Sequence, residues 1–166
     1  HHTWIWDVKN ISKEPLRAIF YSLGGDLPKD FSDLNVKITD ENNNRLEIIS
    51  LDVNKSLEKS FFVKLARPVR KYQSGRLIKL EYDWEEPERN FVYGFSSKSK
   101  KFRYFFTAPK DLHIKHRILE TVRDLGEKRR AEPPANVKYF DDRTEIVWET
   151  AKNHKIQPHD TFEFQW

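Results

Sequence analysis

Short runs of β-branched and aromatic residues, alternating with polar ones, recur along the whole chain between breaks rich in Asp, Asn, Gly, Pro and Lys. Alternation with a period of two is what a strand with one buried face requires, because successive side chains point to opposite sides of a sheet. A chain patterned this way throughout must bury its apolar faces by layering sheet on sheet. The expected fold is therefore all-β: an immunoglobulin-like sandwich of about ten to eleven mostly antiparallel strands, with room for one short helix. A length of 166 residues suits one such domain over residues 3–166, with a core large enough to need no disulfide or metal.

Residues 3–10 alternate cleanly, with Trp4, Trp6 and Val8 on one side of a strand. Residues 16–23 form a second strand, ended by Gly24-Gly25-Asp26 and Pro28. Residues 35–39 and 45–53 flank the amide-rich loop 40–44, a hairpin signal. Residues 60–66, 76–84, 90–96 and 101–108 continue the meander, with Pro68 and Ser74-Gly75 as breaks and residues 97–100 as a hairpin tip. Near the end, 137–140 and 143–150 are joined by Asp141-Asp142, and 161–166 is a last strand. Ile146 with Trp148, and Phe162 with Phe164 and Trp166, are the expected core stripes. Residues 111–125 carry both a helical spacing (Ile114, Ile118, Val122, Leu125) and a strand alternation; strand neighbours on both sides favour a long hairpin. No internal repeat is legible.

Cysteine is absent, which removes thiol nucleophiles, thiolate zinc sites and disulfides and fits a reducing, cytoplasmic setting. No apolar run approaches the roughly 20 residues of a membrane-spanning helix. His1-His2 reads as a tag remnant on a domain cut from a longer protein. Two Asn-x-Ser sequons, at Asn10 and Asn54, are what nine asparagines produce by chance.

Net charge is +4, unevenly spread: residues 61–130 carry 18 basic against 9 acidic side chains, the excess lying in 64–79 and 98–130. Within the second stretch, Lys98, Lys100, Lys101 and Arg103 interleave with Phe102, Tyr104, Phe105 and Phe106, and Arg129 and Arg130 follow. Cations that neutralise phosphate beside aromatic faces that stack on bases are what a nucleic-acid surface uses. The plainer reading is lysines at a solvated tip followed by alternate core aromatics. Trp84, set among Glu81, Asp83, Glu85, Glu86 and Glu88, could stack on a sugar ring or border an acid–base pair; the plainer reading ends a core strand in a solvated acidic turn.

Four histidines remain outside the tag, His113, His116, His154 and His159, without acids at ligand spacing, so no metal and no cofactor is expected. No phosphate-binding glycine loop and no nucleophile elbow occurs. The expectation is a non-catalytic recognition module, sensory, scaffolding or partner-binding, taking a protein partner or small ligand. Nucleic-acid binding through Lys98, Lys100, Lys101, Arg103, Arg129 and Arg130, and carbohydrate binding through two or three coplanar aromatics drawn from Trp4, Trp6, Trp84, Trp148 and Trp166, are the alternatives.

Overall fold

The computed structural model describes residues 1–73, 76–121 and 126–166. These residues contain thirteen strands in four antiparallel sheets, and they group into two compact units, His1–Pro87 and Glu88–Trp166. Where a single sandwich of about ten to eleven strands is expected over 3–166, there are two separate hydrophobic cores, one in each unit.

The first unit holds β1 (His2–Val8), β2 (Leu16–Gly24), β3 (Lys37–Thr39), β4 (Glu47–Lys55), β5 (Glu58–Val69) and β6 (Arg76–Tyr82), with a 3-10 turn at Phe31–Leu34. One sheet has the order β1-β6-β3 and the other β2-β5-β4. Their inward residues meet in one core: Ile38, Ile78, Leu80 and Tyr82 from the first sheet, Tyr21, Phe61, Val63 and Leu65 from the second. His2, set aside above as a tag remnant, begins β1; it pairs in register with Tyr82 and stacks on its ring at 4.7 Å.

The second unit holds β7 (Asn90–Gly94), β8 (Arg103–Pro109), β9 (Arg117–Thr121), β10 (Lys128–Arg130), β11 (Asn136–Tyr139), β12 (Arg143–Glu149) and β13 (Thr161–Gln165), with a 3-10 turn at Lys110–Leu112. Its sheets are β10-β9-β13-β7 and β11-β12-β8. Ile118, Trp148, Phe162 and Phe164 are buried between them, and Phe102 and Tyr104 pack against this cluster. The stripes expected around Ile146, Trp148, Phe162 and Phe164 are buried as read, and the Trp148 indole N–H donates to the Pro133 carbonyl at 2.7 Å.

Three features differ from the sequence reading. The 40–44 loop closes a local hairpin, with Thr39 bridged to Arg45 and the Leu46 N–H donating to the Ile38 carbonyl at 2.8 Å, but the chain then passes to the other sheet as β4. The 97–100 loop is no hairpin tip and carries the chain from β7 to β8 in the other sheet. Their turn chemistry is real, since Asp40 accepts from the Asn42 and Asn44 N–H groups at 2.9 Å, but turn residues do not specify which strands pair across them. Pro68 lies inside β5 rather than ending it, beside the register shift between Leu16 and Ala18 of β2, where a missing N–H is tolerated. Residues 111–121 form a 3-10 turn and β9, and β9 pairs antiparallel with β10 as a hairpin would; residues 122–125 lie outside the described residues.

The units follow one plan, a repeat invisible in the sequence. In each, the first strand pairs with the last, the last with the third, and the second with the penultimate, all antiparallel, and a 3-10 turn precedes the third strand. The last strands align as Leu80-Glu81-Tyr82-Asp83-Trp84 with Phe162-Glu163-Phe164-Gln165-Trp166. Leu80 faces Trp4 as Phe162 faces Tyr93, and Tyr82 faces His2 as Phe164 faces Phe91. β10 is the strand that the second unit has in addition.

Trp84, at 3 % exposure, is sealed into the first core. Its indole N–H donates to the Leu27 carbonyl at 2.7 Å, and the Lys59 ammonium lies 5.8 Å from its ring centre. Gly25 lies so close that a Cβ there would come within 2.3–2.4 Å of the ring, whereas one at Gly24 would meet nothing nearer than 3.7 Å. Gly25→Ala should therefore overpack the core and cost about 1–3 kcal/mol, with Gly24→Ala near neutral; urea unfolding followed by tryptophan fluorescence checks the pair, and equal costs would contradict this packing.

Candidate functional site

The six cations of the nucleic-acid reading lie on two stretches of the second unit, the crossing from β7 into β8 and the strand β10. Lys98 and Lys100 lie on the exposed crossing from β7 to β8, tied down by the paired backbones of Ser99 and Ile156. Lys101 pairs with Glu149 at 2.9 Å, and Arg103 faces the same Glu149 across β8 and β12. Arg129 and Arg130 are on β10, the edge of the other sheet away from β7. β8 lies over β13 and β7 instead, through the contacts of Phe102 with Tyr93 and of Tyr104 with Phe164. Phe102, Tyr104 and Phe106 face inward as core aromatics do, while Phe105 points out.

Trp84 is no platform for a sugar, because both faces are enclosed by its own unit. Acids around it are held by separate partners: Glu81 pairs with Lys79 at 2.7 Å and Glu85 with Lys29 at 2.7 Å, and Asp83 accepts a hydrogen bond from the Asn35 amide at 3.0 Å. Hydrogen bonding from Lys29 holds the Glu85 carboxyl below its ordinary range.

Sequence reasoning missed an inward-facing charge. Glu120 of β9 pairs with Phe162, as Ile38 of β3 pairs with Leu80, so a carboxylate occupies the position of a core isoleucine in the other unit. Glu120 is buried, and its neighbours compensate it: Arg129 donates from Nε at 3.1 Å, and His154 Nε2 approaches to 2.9 Å. The additional strand β10 places Arg129 directly across from Glu120. On the opposite face of the sheet Lys128 reaches Glu163 at 2.7 Å, and this hydrogen bond holds the Glu163 carboxyl low. The signal was period-two alternation carried through β9, which puts Ile118 and Glu120 on one side.

Beside this lies a pair of unsatisfied groups. The Tyr104 hydroxyl and His116 Nε2 are buried without a hydrogen-bond partner among the described residues, their rings 5.7 Å apart. Burial raises the Tyr104 hydroxyl and lowers the His116 imidazole to about 4. Of the other histidines, His113 and His159 have positive φ, at turns. Among the described residues no three His, Asp or Glu side chains gather as metal ligands would. Hollows of about 380 and 170 Å³ are surface concavities of the first unit, at Val36–Ile48 and around the 40–44 loop.

A third cluster joins two loops far apart in sequence. Asn10, buried between β1 and β2, donates from Nδ2 to the Glu14 and Val69 carbonyls at 2.8 Å each. Its backbone bonds Gln73 and Tyr72, and its Oδ1 accepts the Ser12 N–H at 2.8 Å. The first sequon is therefore a structural clamp, and it sets the loop after β1 against the loop after β5.

The chain matches no family model, no curated protein and no solved structure at a significant level.

Two outcomes follow for the second unit. Arg129→Leu should destabilise by about 1–3 kcal/mol by leaving a buried carboxylate short of a partner, while Glu120→Ile, which restores the residue type of the other unit, should be neutral or stabilising in urea unfolding. For His116, the folded unit favours the neutral ring. Its contribution is complete above the ordinary imidazole pKa of 6.5 and is lost as pH falls from there toward 4. The melting temperature should drop across that window, and the drop should be smaller in His116→Phe; superimposable curves would disprove the assignment.

Proposed function

We propose that the chain is a non-catalytic recognition module: two immunoglobulin-like sandwiches in tandem, part of a larger cytoplasmic protein, contacting a partner through exposed sheet faces and loops. One observation carries this reading. In each unit the second strand turns a phenylalanine outward between two inward aromatic or aliphatic residues: Phe20 between Ile19 and Tyr21, Phe105 between Tyr104 and Phe106. Phe20 is 49 % and Phe105 59 % exposed, and each stands across from an apolar residue of the sheet's middle strand, Phe62 and Val147. Neither core needs these side chains, and large exposed apolar groups at matching places are what contact surfaces retain.

The titratable groups support the same reading, since Glu120, Glu163, Glu81 and Glu85 are engaged in ion pairs that hold strands and turns together. The absence of cysteine suits the cytoplasm.

Photo-crosslinking from these positions tests the proposal. With a benzophenone amino acid at Phe20 or Phe105, irradiation in cells expressing the chain should trap the same discrete adduct from either face and none from the exposed turn residue Lys152. Equal labelling from all three positions, or none from the two phenylalanines, would refute it.

A further inference from the structure

The charge excess at 64–79 finds its place in the first unit at the end clamped by Asn10. Leu16 pairs with Val69, so the start of β2 and the end of β5 lie side by side, and the Tyr72 N–H donates to the Asn10 carbonyl at 2.7 Å. This brings Lys9, Lys13 and Arg17 from one segment together with Arg67, Arg70 and Lys71 from the other, all exposed. None has a carboxylate partner among the described residues, and Glu14 is the one acid on the two segments. At the tips stand two large apolar side chains, Ile11 at 68 % and Tyr72 at 66 % exposure. Tyr72 has φ of 62°, a conformation bulky residues rarely adopt, and the Lys71 ammonium lies 4.8 Å from its ring centre.

We propose that this end of the first unit is a docking surface for an anionic phospholipid bilayer, with Ile11 and Tyr72 entering the headgroup region and the six cations meeting lipid phosphates and carboxylates. The inference rests on the reading of the chain as a recognition module and names one partner for it. An aliphatic tip distinguishes the ligand. A nucleic-acid surface would use Tyr72 and the cations but has no use for an exposed isoleucine, whereas an interfacial site combines an apolar tip, an aromatic at the headgroup level and a basic collar. Strain at Tyr72 is tolerated because Asn10 and the Arg70–Gln73 turn fix the backbone on both sides. The cytoplasmic leaflet carries the required negative charge.

Co-sedimentation of the full chain with vesicles of phosphatidylcholine, alone or with about one third phosphatidylserine, tests this. Binding is expected to the mixed vesicles alone and to weaken with added salt. Arg70→Glu with Lys71→Glu should lower the partition coefficient at least about tenfold, and Ile11→Asp at least about fivefold with all cations retained. Both variants should keep the urea midpoint, since the side chains are exposed. No preference for the mixed vesicles overturns the proposal. So does an Ile11→Asp variant that binds normally while oligonucleotides bind the wild type and not the charge-reversed variant, which would mark a nucleic-acid surface. Failure here with adducts still formed at Phe20 and Phe105 removes the membrane partner and leaves the recognition module standing.

Discussion

Each unit is closed by its last strand. β6 lies between β1 and β3, and β13 between β7 and β9, so the strand that ends each unit is paired on both edges. It also supplies buried core residues, Ile78, Leu80 and Tyr82 in one unit, Phe162 and Phe164 in the other. Neither sheet of this kind can be completed until the end of its unit is available, and the contacts that stabilise it join residues far apart in sequence. The rest follows from that placement. The first strand must return to meet the last, the second and penultimate strands are left to form the facing sheet, and the connections must cross between layers.

The same arrangement explains why a carboxylate stands inside the second unit where the first has an isoleucine. β3 and β9 hold equivalent places beside the last strand, and the inward position opposite the aligned Leu80 and Phe162 is Ile38 in one and Glu120 in the other. A buried carboxylate is tolerated only with its partners supplied. β10, with no counterpart in the first unit, supplies one of them as Arg129, and the segment between β12 and β13 supplies His154. Glutamate and additional strand are two halves of one departure from the shared plan.

What could be read from the sequence was local. Alternation identified strands and the buried stripes, because a side chain's face depends only on its parity within the strand; Trp148, Ile146 and Phe164 are buried for that reason. The hairpin at Asp141-Asp142 was legible because its partners are adjacent in sequence. Pairing between distant strands left no local trace. The crossing at 97–100 therefore resembled a hairpin tip, and two units with the same strand order resembled one larger sandwich. The repeat was hidden because its units share burial pattern rather than residue identity, apart from the glutamate and tryptophan common to the last strands. Trp84 could be taken for an exposed ring because its enclosure depends on Gly25, nearly sixty residues earlier.

Surface charge shows the same limit. A window along the chain omits cations that the fold unites: Lys13 and Arg70 are far apart in sequence, yet they lie on two segments that Asn10 bonds at once. In a sandwich every loop ends at one of two poles, so two loops share a surface when their flanking strands pair. The pairing of Leu16 with Val69 and the bonds of one buried asparagine are what turn two unremarkable basic segments into a single patch. Asn10 can do this because its amide offers two donors and an acceptor, enough to bond both loops at once, where a hydroxyl or an aliphatic side chain would leave one loop untied.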